Sequence, residues 1–374
     1  MGSYSSEPEP QKLWIETPCI PSAPMSQAAG CNIFLKLENI QPSGSFKSRG
    51  IGNMMYKAML SQKQHPTGKP AHFYCSSGGN AGLACATAAV TLARPCTIVV
   101  PLSCSAFMIG KMRQLGAEVV QTGEHWAAAD GHMREHLLSA DPAGVYVPPF
   151  DHPDIWAGTS SMVDELAAQL PALLPGTGGV PDAIVCNCGG GGLMSGVMEG
   201  VERQAKKKWA ARRRPRVLVA ETVGAHSLYA SAQAGEHVTL PKITSIANTL
   251  GATRVSAKAW EWYSKSAAAR NQTSSSSSPS PSPPAEAATD VTSVTVTDAE
   301  AVMGSARLAD DARILAEVAC GATIAAVYNG ELRRSLGKGL SDEEWAAMNV
   351  VVIVCGGSNI SLEMLKGYRE EYGV

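Results

Sequence analysis

The sequence predicts an α/β protein built from two doubly wound units with parallel sheets. Three observations carry this. The chain has 374 residues, more than one typical domain needs and suited to two. Hydrophobic residues make up 45% and charged residues 17%, enough apolar surface for large cores. A short apolar run, a Gly/Ser/Pro loop and a helical pattern follow one another again and again along the chain.

The units come in this order. "AHFYC" leads into "SSGGNAG" and the helical "LACATAAVTLA". "CTIVVP" precedes "LSCSAFMIGKMRQLG", and "DAIVCNC" precedes "GGGG" and "LMSGVMEGVERQAKKKW". "RVLVAE" is followed by "TVGAHSLYASAQAG", and "NVVVIVC" by "GGSN" and "ISLEMLKGYREEY". Continuous Val/Ile runs between helices predict parallel strands covered on both faces. Ligands of such proteins bind at the loops leaving the carboxyl ends of the strands. One segment breaks the pattern. Residues 272–288, "QTSSSSSPSPSPPAEAA", are low in complexity and too polar to order themselves, which predicts a disordered surface insertion.

Composition excludes several classes. Net charge is −2 and no basic stripe occurs, so no nucleic-acid partner is expected. The run from Lys206 to Arg216 reads as a solvated helix end before a strand. Ten cysteines show no Cys-x-x-Cys and no zinc-like spacing, and several lie in apolar runs as small hydrophobes. That usage suits a reducing compartment and predicts a cytoplasmic protein. The N-terminus is polar and acidic, unlike a signal peptide. Its Met-Gly-x-x-x-Ser start fits the minimal myristoylation pattern, but no polybasic second signal follows, so no membrane partner is expected.

Four stretches could carry chemistry. Gly189, Gly190, Gly191 and Gly192 stand between a strand and a helix, a cluster of backbone N–H groups suited to a phosphate. The P-loop is excluded because no Lys-Ser or Lys-Thr pair follows. The dinucleotide fingerprint fails at Met194, although Glu221 at the end of the next strand keeps a nucleotide-binding regulator open. "SSGGNAG" (Ser76, Ser77, Gly78, Gly79, Asn80) offers hydroxyls and a helix start to a carboxylate, or is simply a Ser/Asn helix cap. "CGGSN" begins with Cys355, a weak donor and acceptor that alone would be core. In "QPSGSFKSRG", Lys47 lies near a helix N-terminus, where the dipole opposes a positive charge. A lysine in a partly desolvated pocket can lose its proton and form a Schiff base. A phosphate, a carboxylate and a reactive lysine together suggest pyridoxal phosphate.

On these stretches the chain resembles the fold-type II pyridoxal-phosphate enzymes (tryptophan synthase β-like), and most closely their L-serine dehydratase/L-threonine deaminase branch. "PSGSFKSRG", "SSGGNAG", "GGGGL" and "CGGSN" resemble the family's motifs. So do "PPFDHPDIWAGTSS", "ETVGAHS", "LPKITSIANTLG" and "ACGATIAAVY", in the same order, from about Thr17 to Ile360. One departure is Val318 in "EVACG", where the branch leads one to expect proline; it is expected to loosen that helix start.

The resemblance implies the following. Lys47 carries the cofactor and acts as base, with Phe46 beside the ring. Gly189 to Gly192 and Leu193 hold the phosphate, Asn80 meets a ring oxygen, and Cys355 faces the pyridine nitrogen. Ser76, Ser77, Gly78 and Asn80 meet the substrate. Gly78 stands where the related serine racemases carry a serine base, so little racemisation is expected. Glu221, Ala225 and Ser227 resemble a cation site, here for a monovalent ion such as potassium; the alternative is that Glu221 caps the next helix. The domains would be a small one at 41–146 and a large one from 1–40 and 147–374. The activity would be α,β-elimination of L-serine to pyruvate and ammonia, and of L-threonine to 2-oxobutanoate and ammonia. With only one helix's worth of chain after "CGGSNIS", the enzyme would be catabolic; a gluconeogenic role and a homodimer are what the resemblance implies. A β-replacement synthase of the same fold is the main alternative.

Overall fold

A computed structural model describes residues 12–64, 68–210, 212–275 and 289–374. The myristoylation pattern and residues 276–288 of the Ser/Pro segment lie outside these. Among the described residues ten strands form two sheets. The larger takes β1 (Cys19–Pro21), β2 (Asn32–Lys36), β7 (Ala183–Asn187), β8 (Arg216–Thr222), β9 (Val291–Val296) and β10 (Asn349–Ile353), in the order β1-β2-β10-β7-β8-β9. The smaller takes β3 (His72–Cys75), β4 (Cys96–Val100), β5 (Glu118–Gln121) and β6 (Gly144–Tyr146), in the order β5-β4-β3-β6. All pairs are parallel except β1 with β2.

The five apolar runs picked out by sequence are β3, β4, β7, β8 and β10. Every residue of β4 and β7 is buried, as strands covered on both faces must be. Val350, Val351, Val352 and Ile353 are fully buried at the centre of the larger sheet, with Val351 opposite both Phe34 and Ile184. A separate core fills the smaller sheet's unit around Phe73, Ile98, Met55 and Met112.

Two expectations need correction. The helix Ala257–Ser275 runs into the Ser/Pro segment, so residues 272–275 are helical. A helix already anchored by Trp260 and Tyr263 against the core extends a further turn without a new nucleus. The helix Val318–Tyr328 also starts firmly without its proline. The Glu317 carbonyl accepts from Cys320 N–H at 2.9 Å and Gly321 N–H at 3.0 Å.

The sheet order builds the site. β2, β10 and β7 are neighbours and run the same way, so the loops after them emerge side by side. These loops lead into Lys47 and Gly192, each the first residue of a helix, and contain Cys355 and Gly189 to Gly191. In the smaller sheet β3 lies where the chain turns from one direction of winding to the other, between β4 and β6. Such a switch point opens a crevice at the strand's carboxyl end, and the loop there is Ser76–Gly79.

Candidate active site

Lys47 opens the helix Lys47–Gln64. The turn before it is fixed by Gly44 N–H on Gln41 O (2.7 Å) and by Ser43 Oγ against Ser48 Oγ (2.8 Å). Phe46 N–H donates to the Cys355 carbonyl at 3.1 Å, tying this turn to the loop after β10. Lys47 Nζ donates to the Pro149 carbonyl at 2.6 Å and lies 5.3 Å from the centre of the Phe46 ring and 6.0 Å from that of Phe150. Burial lowers its pKa to about 8, against weaker attraction from Cys75, Cys355 and Glu317. The amine therefore loses its proton far more readily than an exposed lysine.

The glycine loop leads into the helix Gly192–Ala205. Gly191, at φ +94°, is the left-handed residue before it, and a Cβ there would collide with Ala259. The Gly190 carbonyl accepts from Ser256 N–H at 3.0 Å and the Gly191 carbonyl from Ser195 N–H at 2.9 Å. The first N–H groups of a helix have no intrahelical partner, so this end can hold an anion. Phe150 packs across Gly190 and Gly192, and its ring links the glycine loop to Lys47.

In the loop after β3, the Ser76 hydroxyl is engaged elsewhere. It donates to Asp130, which also accepts from Tyr146 Oη at 3.1 Å and Arg134 Nε at 2.7 Å. Ser76 thus braces the loop from behind, while Ser77 Oγ accepts from Gly79 N–H at 3.4 Å. A side chain at Gly78 would strike Cys104, whose thiol lies 3.7 Å from the Gly78 carbonyl. Asn80 begins the helix Asn80–Leu92, with Oδ1 accepting from Ser358 N–H at 2.9 Å and Nδ2 donating to Glu317 at 2.6 Å.

Cys355 is buried, and its Sγ accepts from Asn187 Nδ2 at 3.1 Å. Hydrogen bonding with Cys320 and burial push its thiol well above the usual range, so it is neutral. Glu221 is also fully buried. It accepts from Leu228 N–H (3.0 Å), Tyr229 N–H (2.7 Å) and Ser293 Oγ (3.2 Å), and burial raises its pKa to about 8 against these three bonds. It caps the helix Ser227–Ala234, whose first residue is Ser227, while Ala225 N–H closes a turn on Thr222 O at 2.8 Å. Among the described residues no cluster of three His, Cys, Asp or Glu could hold a metal, and no helix is long and apolar enough to cross a membrane.

The groups fit pyridoxal phosphate: a readily deprotonated buried amine between two phenyl rings, a helix N-terminus for the phosphate, an amide and a neutral thiol. Sequence patterning marks neither Phe150, Asn187, Thr249 nor Glu317 as site residues. Thr249 and Leu250 sit between the two loops: a Cβ on Gly79 would meet Thr249 and one on Gly189 the Leu250 backbone. For Phe150, Thr249 and Glu317 the signal lay in stretches already quoted for the resemblance, which did not say which residue turns inward, and Asn187 lies near the end of the apolar run "DAIVCNC".

This chain belongs to the pyridoxal-phosphate dependent enzymes, whose family model matches residues 11–356. It is 39% identical to the human protein named serine dehydratase-like, over 100% of this chain and 99% of that one. The yeast (Saccharomyces cerevisiae) catabolic L-serine/threonine dehydratase is 36% identical, over 90% and 86%. Among solved structures, a fungal L-serine ammonia-lyase from Rhizomucor miehei superposes with a TM-score of 0.78 at 34% identity, covering 97% of this chain and 100% of that one.

Proposed function

We propose that this chain is an L-serine ammonia-lyase that releases pyruvate and ammonia from L-serine, and 2-oxobutanoate from L-threonine. The proposal rests above all on Lys47, a buried amine of lowered pKa bonded to a backbone carbonyl, where the loops after β2, β10 and β7 converge. The dehydratase names of relatives at 36–39% identity support the substrate class. When bound, the cofactor supplies an electron sink beside the substrate's α-carbon.

This chain's residues do the rest. Neutral Lys47 Nζ takes the α-proton, a contribution of about 10²–10⁴-fold. The N–H groups of Gly189 to Leu193 hold the phosphate, and Phe46 and Phe150 exclude water from the amine. The backbone of Ser76 to Asn80, with the Ser77 hydroxyl, holds the substrate carboxylate. The Asn80 amide meets a ring oxygen. With the cofactor bound, Cys355 would face its ring nitrogen as a neutral thiol, where a carboxylate would share a proton strongly, and this would favour departure of the β-hydroxyl, protonated, as water. With no side chain at Gly78 to act as a second base, inversion at the α-carbon is disfavoured. We assign 41–146 to a small domain, since β3 to β6 all fall within it, and 1–40 with 147–374 to a large one.

The test is 2-oxoacid release from L-serine and L-threonine by the purified holoenzyme beside Lys47→Ala, with D-serine measured in the same reaction. Pyruvate that vanishes in the variant, with little D-serine, is the expected result. No oxoacid from a cofactor-loaded protein would redirect the proposal to β-replacement, and D-serine formed as fast as pyruvate would redirect it to racemisation.

Glu221, the Ala225 carbonyl and Ser227 are proposed to take a monovalent cation such as potassium. A cation favours the ionised carboxylate, which burial disfavours up to about pH 8. Exchanging a bulky ammonium for potassium at fixed ionic strength should therefore raise Tm, and more above pH 8 than below it. An equal gain on both sides would remove Glu221 from the cation site.

A further inference from the structure

The Glu317 carboxylate is buried where loops from both sheets meet. Its Oε1 accepts from Asn80 Nδ2 and from Thr249 Oγ1, each at 2.6 Å, and its Oε2 from Asn359 N–H at 3.3 Å. Gly357, at φ +117°, lets the loop after β10 lie against it, because a Cβ there would run into the Glu317 side chain. Asn80 Nδ2 and Asn359 N–H can only donate, and Thr249 Oγ1 donates here, so all three contacts suit an ionised carboxylate. Burial raises the Glu317 pKa, and Thr249, Asn359, Asn80 and the charge of Lys111 pull it back.

The consequence falls on Asn80. Its Oδ1 accepts from Ser358 N–H and its Nδ2 donates to Glu317. Turning the amide over would set NH₂ against N–H at Ser358 and oxygen against oxygen at Glu317. The two contacts therefore choose the orientation and leave the second Nδ2 proton for a ligand. Lys111, from the helix Ala106–Gln114 of the smaller sheet's unit, donates to the Ser358 carbonyl at 2.6 Å. The same loop residue is thus gripped through its N–H and its carbonyl.

We propose that Glu317 is a positioning residue for the elimination: its carboxylate fixes the Asn80 amide with a donor toward the cofactor and latches the loop after β3 to the loop after β10. This rests on the lyase reading for its catalytic consequence, but not for its effect on cofactor holding.

The test is a double-mutant cycle of Glu317→Gln and Asn80→Ala in the holoenzyme. It is read in kcat and KM for L-serine and in retention of the cofactor's visible absorbance on dilution. Glutamine keeps the volume but turns an NH₂ on a donor. Losing buried charge-assisted bonds should cost about 10- to 100-fold in kcat with little change in KM. Beside Asn80→Ala the same change should cost less than about threefold, because its intermediary is gone. Equal costs in both backgrounds would overturn the proposal and leave Glu317 a purely structural acid. If the glutamine variant does not fold, Thr249→Val, which removes one donor and keeps the charge, takes its place. A cost that disappears beside Asn80→Ala supports the proposal, and no cost or an equal cost overturns it. If the unaltered enzyme releases no oxoacid, the lyase reading fails, and cofactor retention alone still decides the role of Glu317.

Discussion

Lys47 and Arg49 are two residues apart at one helix start, both basic, one half-buried and one fully buried, yet their surroundings are opposites. Arg49 meets Glu38 through Nε at 2.6 Å and Nη2 at 2.8 Å, and Glu165 through Nη1 at 2.6 Å and Nη2 at 2.7 Å. Lys36 adds a second cation, with Nζ 2.6 Å from Glu165. Burial alone would raise the Glu165 carboxyl, but Arg49 and Lys36 hold it below its usual range. Lys47 has a carbonyl as its hydrogen-bond acceptor and loses its proton near pH 8. Burial, partial or complete, is common to both. The presence or absence of a partner carboxylate makes one cation a permanent brace and the other a reactive amine.

The largest effect that tests this contrast is on chemistry. Lys47→Ala should lower oxoacid release by at least about 10²–10⁴-fold while the chain stays folded, since no ion pair is broken. Arg49→Met should do the reverse, acting first on stability. It strands Glu38, while Lys36 still holds Glu165, and an uncompensated buried charge costs about 3–5 kcal/mol. Urea unfolding of the variant would show it, and a midpoint like that of the unaltered protein would mean the network contributes nothing net.

The pH dependence follows in size. The Lys47 pKa is about 8 in the folded, cofactor-free chain and near 10.5 when unfolded. Between these values the unfolded chain binds the extra proton, so stability should rise with pH across that window, by about 3 kcal/mol. Below pH 8 the burial cost is fully present. Lys47→Met should lack this rise, and identical pH–stability slopes for the two proteins would refute the lowered pKa. The smallest effect concerns Cys355, whose carbonyl holds the same turn. Cys355→Asp should slow pyruvate release by roughly tenfold, an effect of the size of one charged hydrogen bond. Unchanged elimination would show that the neutral thiol does not steer the reaction.

Sequence made the strand–loop–helix units legible because their signals are local: a buried parallel strand is a continuous apolar run, and its ligand loop is rich in glycine. That local pattern drew attention to Lys47, Asn80 and Gly189 to Gly192, whereas the role expected of Cys355 came only with the resemblance. What stayed hidden was non-local. No pattern in "CNIFLKLE" announces that Asn32–Lys36 will lie beside Asn349–Ile353, and that pairing brings Lys47 to Cys355. Glu317 looked like an ordinary residue before a helix because its donors come from positions 80, 249 and 359. Ser76 looked like a ligand group because nothing near it in sequence hints at Asp130. Glu221 carried two readings, and the helix-capping contacts are plain, whereas a cation's contribution awaits the Tm measurement.

The position of β10 has a consequence for how the molecule is made. This strand is synthesised roughly 300 residues after β2 and fits between β2 and β7. Until it leaves the ribosome, both neighbours present unpaired backbone edges to the cell. Pairings so distant along the chain close slowly, and partly built sheets are prone to stick to one another. The cofactor pocket therefore comes into being only once β10 has been made, and a nascent chain cut short before Asn349 would carry Lys47 and all four glycines with nowhere to use them.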